Sequence, residues 1–109
     1  FKPLGHLTVP HFTDRHTSSG HLYLLRIPGI GVDRRNELIV QMAERGIATN
    51  VHFKPLPMMT AYKNMGFDIA DFPNAYHQYE NEITLPLNTK LSDEDVEYII
   101  NNLLEILHE

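Results

Sequence analysis

The strongest constraint on the fold is an amphipathic helix predicted near the C-terminus, at residues 92–108. Ser92 and Asp95 stand in the positions of a capping box, with aspartate in place of the usual glutamate. Apolar residues then recur at spacings of three and four, as on one face of a helix. They are Val96, Ile99, Ile100, Leu103, Leu104 and Leu107. Because such a stripe must be buried against a second layer, the helix is predicted to be the main cover of a sheet.

Strand and helix signals also alternate over the first half of the chain. Residues 21–27 are rich in apolar and aromatic side chains and end at a Pro-Gly pair, which predicts a strand. Asp33 is predicted to cap a helix that begins at Arg34, and Gly46 is predicted to be its left-handed stop. The predicted apolar face of this helix consists of Leu38, Ile39, Met42 and Ala43.

The remaining elements are shorter. A second strand is predicted at residues 47–53, where an apolar run stops before Pro55. Short helices are predicted around residues 60–65 and from Pro73. A third strand is predicted at residues 83–87, and the proline within it indicates an edge strand or a strand end.

Length and composition narrow the function classes. A chain of 109 residues predicts one domain, and a net charge of −5 argues against a general binder of nucleic acid. The chain has no cysteine, which excludes disulfides and thiolate metal sites. No membrane-length apolar run and no secretory signal is present, so we expect a cytoplasmic protein without a membrane partner. Because the chain begins at Phe1 rather than methionine, we expect an excerpt or a processed product.

A regular series of histidines suggests a metal site at first sight. The four residues are His6, His11, His16 and His21. A spacing of five puts side chains on one face of neither a helix nor a strand, and no His-Glu-x-x-His pattern is present. We therefore expect no metal site, and interpret these residues as loop and surface histidines.

Acidic pairs and one lysine are the other candidates for chemistry. Asp68 with Asp71, and Glu80 with Glu82, have the residue types of acid–base pairs, but the sequence gives no sign that either pair is desolvated. We expect solvated loop and helix charges. Lys54 suggests a Schiff-base lysine, yet it stands in a connection, where we expect exposure rather than the burial that activates such a lysine.

His52 is the main candidate binding residue. It lies where the strand predicted at residues 47–53 ends, so its side chain can reach a cleft while packed neighbours fix its position. Phe53 is predicted to pack inward, because neighbouring strand residues point to opposite faces. A histidine at a strand end is more often a structural hydrogen-bonding residue, so composition alone leaves both roles open.

Several motifs, in order, resemble the C-terminal segment of the sugar aminotransferases of the DegT/DnrJ/EryC1/StrS family. The Arg-Gly-Ile that begins at Arg45 precedes a His-Phe-Lys-Pro-Leu stretch that begins at His52 and is similar to a family signature. The other similar stretches are residues 21–26, 34–38, 71–75, 85–87 and 91–96. The resemblance covers residues 21–107, and the ordered set is more specific than any single piece.

The resemblance implies an α+β fold with a small, mainly antiparallel sheet of about three or four strands and helices packed on it. This is the arrangement of the C-terminal domain of fold-type I aminotransferases. Residues 1–20 would lead in from a missing large domain, and residues 21–109 would form the C-terminal small domain.

The resemblance also implies a parent enzyme, expected to be a homodimer, that uses pyridoxal phosphate held by a lysine of the large domain. Such enzymes move an amino group from an amino acid, commonly glutamate, to a keto group on a nucleotide-linked sugar, and serve polysaccharide biosynthesis. The present chain would close the active-site cleft, with His52 contacting the sugar or its phosphates. It would carry no catalytic residue, bind no cofactor and be inactive alone.

Two residues depart from the family pattern. Phe53 stands where the family often has tyrosine, and Pro57 stands where it often has histidine, so the substrate contacts are expected to differ. The alternative to an aminotransferase fragment is a stand-alone α+β module that binds a ligand or regulates a partner through a bare sheet face. The reading frame upstream of Phe1 discriminates the two, since only the enzyme requires a long α/β region with a cofactor lysine.

Overall fold

The computed structural model describes residues 1, 5, 7–8 and 12–109, which form helices packed on a small sheet. The elements in chain order are β1 (Leu7–Thr8), β2 (Tyr23–Arg26), α1 (Val32–Glu44), α2 (Thr60–Asn64), α3 (Pro73–Glu80), β3 (Glu82–Leu85) and α4 (Asp93–His108). Short 3-10 turns occur at Leu56–Met58 and Ile69–Asp71. The sheet has the order β1–β2–β3, and both pairings are antiparallel. The predicted α+β fold with a small antiparallel sheet is therefore confirmed.

The hydrophobic core lies on one face of this sheet. Leu25 is paired with Ile83, and because successive strand residues point to opposite faces, Ile27 and Leu85 share their face. The helices α1 and α4 cover this face, and α1 contributes the fully buried Leu38. The remaining buried apolar residues are Met42, Ile47, Ile99, Leu103 and Ile106.

The helix α4 confirms most of the sequence prediction. Ser92 is its N-cap, and the backbone N–H of Asp95 donates to the Ser92 hydroxyl oxygen at 3.1 Å. In return the Ser92 backbone N–H donates to the Asp95 carboxylate at 2.9 Å, which completes the capping box. The predicted stripe is wrong at its first turn, since Val96 is 41% exposed, while Ile106 is buried in the core. The first turn extends past the edge of the core, so its apolar position meets solvent.

The start of α1 corrects a second prediction. The helix begins at Val32 with Gly31 as the N-cap, so Asp33 does not cap it. Asp33 instead lies in the first turn, where the helix dipole favours a carboxylate. At the other end Gly46 has φ of 76°, as predicted for a left-handed stop. The predicted apolar face is correct at Leu38, Ile39 and Met42, but Ala43 is exposed.

The second predicted strand, residues 47–53, is wrong. Ile47 is buried in the core, but along this stretch only Asn50 makes a strand-like pair, with Thr84 of β3. Beyond Asn50 the chain bonds to side chains of β3 rather than to its backbone, so the ladder stops after one bridge. Phe53 is 70% exposed, so the prediction that it packs inward is also wrong.

The other element predictions differ from the structure mainly at their bounds. The strand predicted at residues 21–27 is β2, and the two short helices are α2 and α3. The third strand begins earlier than predicted, at Glu82, and ends before Pro86. Within residues 1–20, β1 is regular structure that was not predicted, and residues 2–4, 6 and 9–11 lie outside the described residues.

Candidate functional site

The face of β3 that points away from the core is polar and covered. Glu82 and Thr84 alternate along the strand with the core residue Ile83, which places both on the opposite face. Glu82 is 1% exposed, so the prediction of a solvated charge is wrong for this residue. Glu82 is buried because it is the first residue of a fully buried strand and the segment around Asn50, which pairs with Thr84, covers it.

His52 is attached to this face by two hydrogen bonds. Its backbone N–H donates to Glu82 Oε2 at 3.0 Å, and its ring Nδ1 lies 2.9 Å from Thr84 Oγ1. The Thr84 hydroxyl donates to Glu82 Oε1 at 2.5 Å. We call these three residues the Glu82–Thr84–His52 triad. The backbone of Asn50 also pairs with that of Thr84. Main-chain contacts therefore hold the segment that carries His52, and a side-chain contact holds its ring.

The opposite edge of the imidazole is available to a ligand. The ring is half-buried, and among the described residues its Nε2 atom has no hydrogen-bond partner. The Phe53 ring meets the imidazole edge-on, with centroids 4.6 Å apart, and the peptide bond between His52 and Phe53 is cis. The arrangement can bind and orient a polar group of a ligand at Nε2, next to an exposed aromatic ring.

Two arginines brace the strand that carries the triad. Arg26 of β2 is the cross-strand neighbour of Glu82, and its guanidinium donates to Asn81 Oδ1 at 3.1 Å and to the His77 carbonyl at 2.8 Å. Arg35 of α1 is 1% exposed and donates to the carbonyls of Tyr79, at 2.8 Å, and Glu82, at 3.2 Å. Both cations hold the junction of α3 and β3, so the position of Glu82 is fixed from two sides.

The other predicted candidates do not join the triad. Asp68 caps a 3-10 turn by accepting from the Ala70 backbone N–H at 2.9 Å, and Asp71 is exposed. Glu80 accepts from the His77 ring at 2.8 Å. The structure therefore separates Glu80 from Glu82, and neither predicted acidic pair forms an acid–base site.

The histidine series does not assemble a metal site in the described part of the chain. His16 Nδ1 bonds to the Thr13 hydroxyl at 3.0 Å, and His21 is exposed. His6 and His11 lie outside the described residues. Over the ranges that the structure describes, no group of three or more His, Asp or Glu side chains is placed to hold a metal ion.

An apolar cavity of about 430 Å³ lies at the far end of the sheet, away from the triad. Its lining residues are Phe1, Tyr23, Leu85, Pro86, Leu87, Leu91, Val96, Ile99 and Ile100. Apart from the Tyr23 hydroxyl these side chains are apolar, so among the described lining residues none supplies a carboxylate or an imidazole. Of the helices described, none has both the length and the apolar composition of a membrane span.

The described residues do not fit the site of a covalently held pyridoxal phosphate. A Schiff-base lysine has its pKa lowered by burial or by a neighbouring cation. Lys54, Lys63 and Lys90 are all exposed. The buried guanidinium of Arg35 is occupied by backbone carbonyls rather than open to a phosphate group. We therefore assign no step of cofactor chemistry to these residues.

Sequence reasoning missed Thr84, and it paired Glu82 with Glu80 rather than with His52 and Thr84. The signal was present as the order Glu-Ile-Thr-Leu-Pro, in which polar and apolar residues alternate before a strand-ending proline. Such alternation predicts one core face and one polar face. It does not predict that His52, thirty residues earlier in the chain, returns to cover the polar face.

A small antiparallel sheet with α1 and α4 on one face and a histidine fixed on the other defines a small α+β domain. Comparison with known proteins gives its family: the description "DegT/DnrJ/EryC1/StrS aminotransferase family" matches residues 1–104. The chain belongs to this family, as the resemblance in its motifs implied.

Three relatives illustrate the similarity. The spore coat polysaccharide biosynthesis protein SpsC of Bacillus subtilis is 34% identical over 98% of this chain and 28% of its own length. The UDP-4-amino-4,6-dideoxy-N-acetyl-beta-L-altrosamine transaminase of Helicobacter pylori is 30% identical over 88% of this chain and 27% of its own length. The structure of Spr1654 of Streptococcus pneumoniae, described as a sugar aminotransferase, superposes with a TM-score of 0.90 at 51% identity.

The match to Spr1654 covers 93% of this chain and 25% of that protein, which is known in both PLP and PMP forms. The chain thus spans about a quarter of the length of the relatives it matches.

Proposed function

We propose that residues 21–109 are the C-terminal small domain of a pyridoxal-phosphate-dependent aminotransferase that acts on a keto group of a nucleotide-linked sugar. The observation that supports this most is the likeness to Spr1654, which combines a TM-score of 0.90 with 51% identity. The name of the H. pylori relative specifies a UDP-linked sugar, and that of the B. subtilis relative specifies polysaccharide biosynthesis. These names support the substrate class.

The proposal divides the work between two parts of a parent enzyme. Residues 1–20 lead in from a large domain that holds the cofactor, and pyridoxal phosphate supplies the electron sink for moving the amino group. The small domain closes one side of the cleft and contacts the sugar nucleotide. The parent is proposed to be a cytoplasmic homodimer, with an amino acid such as glutamate as the amino donor.

His52 is the residue of this chain that binds substrate in the proposal. Its Nδ1 edge is occupied by Thr84 at 2.9 Å, whereas Nε2 has no partner among the described residues. Because Nε2 is not buried, water can pair with it in the free protein, and a polar group of a ligand would replace that water. The role of the triad is therefore to hold and orient the imidazole, and not to transfer protons.

The test is made in the full-length enzyme with His52→Asn. The amide nitrogen of asparagine occupies nearly the position of Nδ1 and keeps the bond to Thr84, but nothing replaces Nε2. We expect KM for the sugar nucleotide to rise about 3- to 10-fold, the loss of one hydrogen bond, with kcat for saturating substrate changed much less. The melting temperature is expected to change little.

The matched comparison is His52→Ala, which removes both edges of the ring. It should raise KM as much as His52→Asn and should also lower the melting temperature, because Thr84 loses its partner. An unchanged KM in both variants would return His52 to a purely structural role. A parent protein without transaminase activity would instead favour the stand-alone binding or regulatory module.

A further inference from the structure

The shortest contact of the triad fixes where a proton lies. Thr84 Oγ1 and Glu82 Oε1 are 2.5 Å apart, and two oxygens at that distance require a hydrogen between them. As a carboxylate Glu82 has no hydrogen to give, so the hydrogen comes from the Thr84 hydroxyl. The single hydroxyl proton of Thr84 is therefore directed at Glu82 and is not available to His52.

The direction of this bond determines the state of the imidazole. With its proton committed, Thr84 Oγ1 can only accept from His52, whose Nδ1 lies 2.9 Å away. Nδ1 must then carry a hydrogen. A neutral imidazole has one ring hydrogen, so Nε2 keeps a lone pair and acts as an acceptor.

Independent contacts hold the carboxylate in the orientation that this argument needs. Its second oxygen, Oε2, accepts from the His52 backbone N–H at 3.0 Å, so the carboxylate cannot rotate without losing a bond. Arg26, the cross-strand neighbour of Glu82, bonds to Asn81 and to the His77 carbonyl, which fixes the strand end that carries the carboxylate. Since Glu82 is 1% exposed, solvent cannot readily replace either donor.

We propose that Glu82 and Thr84 are positioning residues that hold the neutral His52 ring as its Nδ1–H tautomer, so that Nε2 accepts a hydrogen bond from the ligand. The proposal rests on the proposed function, and it narrows the group that His52 recognises. The matching group is a donor, such as a sugar hydroxyl or an amide N–H. The oxygens of a diphosphate are acceptors at neutral pH, so they do not match the lone pair of Nε2.

The tautomer can be measured without any substrate. We would label the full-length protein with ¹⁵N-histidine and record solid-state NMR spectra at mildly alkaline pH, where histidine is ordinarily neutral. The His52 signals are assigned by their loss in His52→Asn. We expect a protonated Nδ1 and an unprotonated Nε2. His77 provides an internal reference, because its Nδ1 lies 2.8 Å from the Glu80 carboxylate and must also carry a hydrogen.

Glu82→Gln is the decisive variant because it keeps the shape and changes the proton pattern. The amide oxygen would accept from the His52 backbone N–H, which turns the amide nitrogen toward Thr84 as a donor. Thr84 would then direct its hydroxyl at Nδ1, and the ring hydrogen of His52 should move to Nε2. Thr84→Ser keeps the hydroxyl and should leave the tautomer unchanged. Thr84→Val removes the acceptor for the Nδ1 hydrogen, so the ring should no longer prefer one tautomer.

The spectra overturn the proposal in two ways. An Nε2–H tautomer in the natural protein contradicts it directly. An Nδ1–H tautomer that survives Glu82→Gln shows that Glu82 does not set it, which also overturns the proposal. The signals of His77 must stay unchanged in either case, as a check on folding.

The ligand class is tested separately with UDP as the probe. If His52 accepts from the sugar, His52→Asn should weaken inhibition by UDP alone less than about twofold while KM for the sugar nucleotide rises. Equal weakening of both would indicate a phosphate contact and overturn the recognition of a donor. If KM is unchanged in His52→Asn, the proposed binding role fails. The NMR measurement still tests separately whether Glu82 and Thr84 set the tautomer of His52.

Discussion

Arg35 is a cation that the fold buries without a carboxylate partner among the described residues. Its guanidinium donates to the carbonyls of Tyr79 and Glu82, and it lies 4.7 Å from the centre of the Tyr79 ring. These contacts join α1 to the junction between α3 and β3. A buried charge of this kind is costly to leave unpaired, so its partners matter more to stability than those of an exposed residue.

Arg35→Met is expected to lower the free energy of unfolding by about 2 to 4 kcal/mol, because two buried carbonyls lose their donor. Equilibrium urea unfolding measures the change. Lys63→Met, which removes an exposed cation from α2, is the control and should change stability by less than about 0.5 kcal/mol. Equal effects of the two substitutions would contradict the role given to Arg35.

His52 and Phe53 show how far single residues could be predicted. The position of His52 left a structural and a binding role open, and only the resemblance to a known family favoured binding, which stays a prediction. In the structure its Nε2 atom has no partner among the described residues. The partner of the ring was not predictable, because it lies thirty-two positions later in the chain. Phe53 was mispredicted because alternation applies only within a strand, and the ladder stops at Asn50.

Among the elements, α4 has a cap whose stability depends on pH. The pKa of Asp95 is lowered from its ordinary value of 3.8, first by the Ser92 backbone N–H and then by the Ser92 hydroxyl. A lowered carboxyl pKa stabilises the fold above the ordinary pKa, and the stabilisation is lost as the pH falls through the lowered value. The helix cap is therefore weaker in acid than at neutral pH.

Asp95→Asn should lower the melting temperature at neutral pH, and the difference from the natural protein should shrink as the pH falls below 3.8. Thermal melting over a series of acidic buffers measures this. Glu94→Gln removes an equal charge from the same turn without removing a bond to Ser92, so it should cost less at neutral pH. A difference for Asp95→Asn that stays constant with pH would contradict the capping argument.

The segment at residues 53–72 exposes an unusual amount of apolar surface. Its exposed large side chains are Phe53, Leu56, Met59, Tyr62, Met65, Phe67 and Phe72. Three of the rings lie together, with Phe67 against both Tyr62 and Phe72. Clustered apolar surface usually marks a contact with another protein surface. In the proposed parent enzyme the rest of the polypeptide would cover it, and in this chain alone a second copy can do so.

We therefore expect this chain to self-associate at high concentration, and Phe53→Ser with Met65→Ser to reduce the association without lowering the melting temperature. Sedimentation velocity measures it. Val40→Ser, at a 58% exposed position of α1, is the matched control and should leave association unchanged. A strict monomer at high concentration would count against the prediction.

At the scale of the whole molecule, this chain is expected to lack transaminase activity. After incubation with pyridoxal phosphate and borohydride, mass spectrometry should find no stoichiometric attachment to any lysine of the described residues, since Lys54, Lys63 and Lys90 are exposed and not activated by burial. Full-length enzyme treated in the same way is the positive control. Complete labelling of a single lysine of this chain would overturn the assignment of the cofactor to another domain.

The architecture was more predictable than the connections within it. The capping box and apolar spacing of α4 are local, and so are the stops of α1 and β3 at a glycine and a proline. These features predicted helices packed on a sheet, and the resemblance to a known family implied the antiparallel direction of its strands. The short strand β1 and the single bridge at Asn50 depend on tertiary contacts, which no local pattern encodes.

The alternation of β3 places residues that pack in the core and residues that contact His52 at different positions of the strand. Odd-numbered positions of the strand, Ile83 and Leu85, are constrained by packing, whereas Glu82 and Thr84 face the histidine that is proposed to meet substrate. Substitutions at positions 82 and 84 can therefore change whether the imidazole gives or takes a hydrogen while the core stays intact. A single exchange of Glu82 for the isosteric glutamine could therefore change the substrate preference. Glu82 acts through His52 in this proposal, so it would do so without touching the sugar.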